Sequence, residues 1–130
     1  MTCFLQKMGV WVVIALIQAF HDPLLSRCSN PYGMLFIIAH HMLALYLITG
    51  SLFFGNHKSH LIVVIVAFVV HKIYKICPLT KWHNEICGLD LNTPLYTIFN
   101  HVTHTISQAI YLYYCVIIIV ILYDIKHIFL

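Results

Sequence analysis

Four long stretches of this chain carry almost no charge, and each is long enough to cross a lipid bilayer. They run from Cys3 to Phe20, from Tyr32 to Phe54, from His60 to Ile76, and from about residue 96 to about Tyr123. A spanning helix needs about 20 apolar residues, range about 17–25, so the first stretch sits near the lower limit. Within lipid every backbone N–H and C=O must be satisfied by the chain itself, which leaves helices and closed barrels. A barrel needs alternating segments of about ten residues, whereas Leu61–Val70 and Val116–Leu122 are continuous apolar runs. The expectation is an all-α integral membrane protein. Residues 1–130 would form a single transmembrane domain, an up-down four-helix bundle because the connections are short.

The breaks between stretches carry turn chemistry. His21-Asp22-Pro23 closes the first, and Ser29-Asn30-Pro31 precedes the second. Gly55-Asn56-His57-Lys58-Ser59 separates the second from the third, Cys77-Pro78 ends the third, and Asp124, Lys126 and His127 mark the exit of the fourth. Proline restricts the residue before it and halts a helix; the Gly-Asn and Asn-Pro pairs favour turns.

Only 8% of the residues are charged and 62% are hydrophobic, against about 25% charged in a soluble domain. The net charge of +3 comes from scattered residues, so the clustered basic footprint of a nucleic-acid binder is absent. The first stretch lacks a small-residue cleavage signature and reads as an anchor rather than a removed signal. Four passes put both termini on one side, side A, with Lys7, Lys58 and Lys126. Side B receives Arg27, Lys81 and, through their long stems, Lys72 and Lys75. Three basic residues against four leave the orientation open under the positive-inside rule.

His40, His41, His71, His101 and His104 fall inside the apolar stretches. At 1.5 Å of rise per residue, His40, His71, His101 and His104 lie roughly 9–15 Å from side B, and adjacent His41 shares that layer. Ionisable groups in lipid are costly and are functional-site candidates by default. On the fourth stretch Thr97, His101, His104, Gln108, Tyr111 and Cys115 follow steps of four and three. Such a seam is expected to face the bundle interior. On the third, His60, Val64, Ala67 and His71 form a second line. None of the four acidic residues is expected at membrane depth, which disfavours a proton pump.

Three uses of this layer follow from its chemistry. One is an interhelical hydrogen-bond network that fixes the bundle. Another is ligation of haem b by two facing imidazoles, for which His40 or His41 with His101 or His104 are the cofactor-binding candidates. The third is a zinc or copper site of three or four ligands, for which His71, Cys77, His83 and Cys87 are the metal-ligand candidates. No Ser-His-Asp order, glycine-rich phosphate loop or His-Glu-x-x-His motif is present, so no catalytic residue is assigned.

Of the five cysteines, Cys28, Cys77 and Cys87 lie at side B. If that side is oxidising, one disulfide among them leaves one thiol over; otherwise they are buried or unpaired thiols. Cys77 to Glu85 forms either a plain re-entry loop or a short amphipathic helix capped by Thr80 and running to Ile86, a lid over the histidine layer.

The order His40, Gly50, His60, Cys77-Pro78-Leu79-Thr80, Asn84 and His101 resembles a small uncharacterised bacterial membrane family. Its hallmark is a Cys-Pro-Leu-Thr segment after a transmembrane helix. The likeness spans roughly residues 34–104, and this chain has His83 where that family often carries an acid. The resemblance implies a multi-pass fold and no particular activity. The expected role is a non-enzymatic structural or interaction component of a larger membrane assembly, in contact with lipid and with other membrane subunits or further copies. The alternative is a haem- or metal-binding redox or sensor protein.

Overall fold

The computed structural model describes residues 2–23, 25–94, 99, 103 and 105–130. Among them are five helices: α1 (Thr2–Phe20), α2 (Pro31–Phe54), α3 (His57–Tyr74), α4 (Pro78–Ile86) and α5 (Ile106–Phe129), with a 3₁₀ turn at Leu25–Arg27. α1, α2, α3 and α5 are long and apolar enough to cross a membrane, and they form an all-helical four-helix bundle.

The helix ends follow from local chemistry. Asn30 caps α2, its side-chain oxygen accepting from the Tyr32 N–H at 2.9 Å, and Pro31 opens the first turn where no amide hydrogen is needed. Gly55 ends α2 in the left-handed conformation at φ 68°, and its N–H closes back onto the Ser51 carbonyl. Asn56 caps α3 through the Ser59 N–H. Lys75 ends α3 at φ 58°, which turns the chain into Cys77-Pro78. Thr105 caps α5 through the Gln108 N–H.

Two boundaries differ from the sequence reading. α3 starts at His57 rather than His60, because Asn56 caps and brings His57 and Lys58 into the first turn. α5 is described over Ile106–Phe129 rather than 96–123. Asp124 does not end this helix. Its carboxylate is buried against two histidines, as described below, and Lys126 and His127 sit in the last turn, where positive charge suits the helix dipole.

Contacts between helices fix the up-down order. Phe4 and Trp11 of α1 pack on Phe54 at the far end of α2. His60 of α3 meets Tyr46 of α2. His60 and His71 of α3 meet Asp124 and Tyr114 of α5 in reverse order. α2 is central and touches each of the others, while α4 lies across its first half. The apolar core is small. Leu47, Val64, Ile117 and Val120 form one cluster between α2, α3 and α5; Ala19 and Ile37 form another between α1 and α2. Burial inside the chain covers 28% of the α2 apolar window and at most 17% of any other. Helices this apolar that are left uncovered need an apolar surrounding.

Candidate functional site

The ring nitrogens of the described histidines differ in whether they are committed to a hydrogen bond. At side A, His60 is almost completely buried. It reaches the Asp124 carboxylate through Nδ1 at 2.5 Å and donates from Nε2 to the Tyr46 carbonyl at 2.9 Å. His57 donates from Nδ1 to the other Asp124 oxygen at 2.9 Å, and the Ser51 hydroxyl reaches the same carboxylate. His57 also stacks on His127, with ring centroids 4.7 Å apart. Toward side B, His41 donates from Nε2 to buried Asp22 at 3.0 Å. His71 hydrogen-bonds the Tyr114 hydroxyl at 2.8 Å.

One expectation is overturned here. Asp22 and Asp124 are both buried, and Asp124 lies within an apolar helix, so carboxylates do accompany the histidines. Buried polar side chains stand toward both sides, Asp124 and His60 toward side A and Asp22 and His41 toward side B. The sequence showed Asp124 as an exit signal because the residues that neutralise it lie 64 and 67 positions away.

Of the seam expected on the fourth stretch, the described residues do not form the buried face of α5, and Cys115 is only partly buried. Gln108 and Tyr111 are exposed, and the inward line is Ala109, Tyr113, Ile117, Val120 and Asp124. Apolar packing on α3 sets this rotation. Thr97, Asn100, His101 and His104 lie outside the described residues. The line His60, Val64, Ala67 and His71 faces the bundle, with His60 and Val64 fully buried.

His40 differs from these committed rings. Both its nitrogens are buried without a hydrogen-bond partner, and its ring lies edge-on to that of His41, with centroids 5.5 Å apart. It lines a cavity of about 1090 Å³ between α2, α3, α4 and the start of α5, whose walls include His71, Leu43, Val66, Leu79 and Tyr113. Of the haem candidates, His41 is engaged by Asp22, and His101 and His104 lie outside the described residues. Among the described residues of that set, His40 has both ring nitrogens buried and unpartnered, while His41 has its Nε2 committed to Asp22.

The metal candidates divide. His83 and Cys87 come together with Cys28: its sulfur, that of Cys87 and a ring nitrogen of His83 all lie within 4.8 Å of one another. Cys28 and Cys87 are joined as a disulfide. His71 is on Tyr114 instead, and Cys77 stands at the start of α4. Thr80 is not the α4 cap; it is buried within the helix, and Cys77 occupies the capping position. Burial pushes the Cys77 thiol up from its ordinary pKa, opposed to a lesser degree by the Leu79 and Thr80 backbone and the Thr80 side chain. The α4 helix is amphipathic. Trp82 points outward onto Phe36, while Thr80, His83 and Asn84 are buried. Cys28 was the ligand that spacing could not supply, because it lies 59 residues from Cys87.

Comparison with known proteins returns no matching family model, curated protein or solved structure. No family is shown for the chain, and the resemblance rests only on the order of His40, Gly50, His60, Cys77-Pro78-Leu79-Thr80, Asn84 and His101.

Proposed function

We propose that the chain is a multi-pass integral membrane protein without enzymatic activity, a structural or interaction component of a larger membrane assembly. The supporting observation is where the imidazoles are bonded: buried His41 and His60 and partly buried His57 and His71 are each tied to a side chain of another segment. Residues spent on joining helices are not free for chemistry, and the apolar faces they leave outward suit lipid or a neighbouring subunit. The test is the particle mass of the protein solubilised in mild detergent, together with crosslinking in its native membrane. The proposal requires a protein mass above that of one 15.0 kDa chain and crosslinks to a neighbour. A monodisperse single chain without crosslinks contradicts it.

A second reading is favoured by His40 alone. An imidazole with two unpartnered nitrogens on a largely apolar cavity suits a flat apolar ligand with an acceptor metal, haem above all. An absorption spectrum before and after dithionite decides it. A Soret band that shifts on reduction assigns the cavity to haem; a featureless spectrum removes that ligand.

A further inference from the structure

The geometry points to a metal site that is opened by reduction, built from Cys28, Cys87 and His83 at side B, and taking a thiophilic divalent ion of the zinc class. It is independent of both readings of the histidines above.

Asn84 is fully buried. Its side-chain nitrogen donates to the carbonyls of Asp90 at 3.0 Å and Thr93 at 2.8 Å, with the Leu91 carbonyl at 3.4 Å. Carbonyls only accept, so these bonds fix which end of the amide is nitrogen. The oxygen is then the atom that faces His83 Nδ1 at 3.0 Å, and an oxygen there requires Nδ1 to carry the hydrogen. His83 is held in the tautomer whose Nε2 has a free lone pair. That nitrogen is buried with no hydrogen-bond partner, on a residue with 0% exposure. Leaving a buried polar atom unpaired is unfavourable, so a partner for that lone pair would stabilise the site.

Gly33 shows where this edge of the ring points. A Cβ at position 33 would overlap the sulfurs of both Cys28 and Cys87 and would stand 3.7 Å from His83 Cδ2, the carbon bonded to Nε2. The free lone pair and the two sulfurs thus share one pocket over the bare backbone of α2. An imidazole whose other nitrogen donates to a fixed oxygen is the usual support of a metal-ligating histidine.

In the disulfide state the sulfurs are bonded to each other and are poor ligands. A phosphine attacks one sulfur and breaks the S–S bond, supplying two electrons; one water gives its two protons to the Cys28 and Cys87 thiols and its oxygen to the phosphine, which leaves as the phosphine oxide. A divalent ion then displaces both thiol protons and takes two thiolates and Nε2. Zinc–sulfur bonds of about 2.3 Å at tetrahedral angles require sulfurs about 3.8 Å apart, within reach of side-chain rotation from Cα atoms 5.2 Å apart. A fourth position is left for solvent or another ligand.

The test uses the full-length protein in detergent and cobalt(II) as a coloured stand-in for zinc. The oxidised sample is a built-in control, since Cys3, Cys77 and Cys115 are free in both states. The expected result is no thiolate-to-cobalt band before phosphine treatment and one equivalent after it, lost in Cys28→Ser. His83→Ala should weaken cobalt binding by roughly 10-fold or more, as loss of even a supporting group costs about 10–100-fold. A reduced protein that keeps its helical circular dichroism and gains two titratable thiols, yet shows no cobalt band, overturns the site. Equal cobalt affinity in His83→Ala and the unaltered chain overturns the role of His83, even if reduction loosens the fold.

Discussion

His60 and Asp124 meet across 64 residues of sequence, Nδ1 to Oδ2 at 2.5 Å, while the opposite nitrogen of His60 donates to the Tyr46 carbonyl. The carbonyl can only accept, so His60 Nε2 must hold a hydrogen. One further proton lies between Nδ1 and Oδ2, and whichever atom holds it, the pair sums to zero charge. This neutrality lets a carboxylate sit fully buried inside an apolar helix, where a lone charge would be far more costly.

Removing the carboxylate should therefore cost what unpaired neutral groups cost rather than what a stranded charge costs. Asp124→Leu leaves the His57 and His60 Nδ1 atoms without their partner but strands no charge, and a loss of about 1–3 kcal/mol is expected. The double change His60→Leu with Asp124→Leu should cost less than the sum of the single changes, because no polar atom of the pair remains unmatched. Thermal unfolding in detergent checks this, and strictly additive losses would show that the two residues do not act as a pair.

Gly50 guards the same contact from α2. A Cβ there would stand 2.7 Å from His60 Cδ2 and 2.8 Å from the Tyr46 ring, and Tyr46 has little room to move beside Phe54. Gly50→Ala is expected to lower stability by about 1–3 kcal/mol through overpacking, part of it relieved when His60 is already Ala, because the clash with Tyr46 remains. A loss of the same size in both backgrounds would place the clash elsewhere.

The two ends of the molecule were unequally legible in the sequence. Helix number and order follow from apolar length and from the Asn-Pro, Gly-Asn and Cys-Pro breaks, because lipid admits few other solutions for such stretches. His60, Val64, Ala67 and His71 could be read as one face from spacing alone. Asp124 could not, since its burial depends on partners that arrive from another helix. A carboxylate followed by Lys126 and His127 carries the same local signature as an exit from the membrane. Cys28 and Cys87 pair for tertiary reasons too: spacing left Cys77 equally eligible. Gly33, whose missing side chain makes room for both sulfurs, gave no signal of its own.

Gly33→Ala tests that room directly. The added methyl overlaps both sulfurs of the bridge, so the disulfide must shift or fail to close. The expected outcome is one population with two extra titratable thiols under non-reducing conditions and a lowered unfolding temperature. A bridge across 59 residues contributes up to about 4 kcal/mol on chain-entropy grounds, and less where the unfolded chain remains confined to lipid. Complete bridge formation with unchanged unfolding would mean that α2 and α4 part easily at this point.

Cys77 should resist alkylation at neutral pH although it is not fully buried. Its thiol is pushed above the ordinary value by burial, and the thiolate is the reactive form. The sign is fixed: a raised pKa lowers the thiolate fraction at every pH below it. Labelling of Cys77 in native protein should lag behind that of exposed Cys3 at neutral pH and keep rising well into the alkaline range. Mass spectrometry of time-resolved labelling reads both sites at once. A rapid plateau for Cys77 near neutral pH would show a thiolate already present and defeat the assignment.

His40 decides between the two readings of the cavity. If the cavity serves no ligand, the two unpartnered nitrogens are a burden, and His40→Leu fills the same space without them. Relief of about 1–3 kcal/mol is then expected, seen as a higher unfolding temperature with an unaltered, featureless visible spectrum. This is the outcome a structural role demands. If His40 instead holds a ligand, the same substitution removes an anchor, and binding energy linked to folding is lost with it. The unfolding temperature would fall and any visible band of the unaltered protein would vanish. Because the two accounts require shifts of opposite sign in one variant, a single melting curve recorded beside an absorption spectrum separates them.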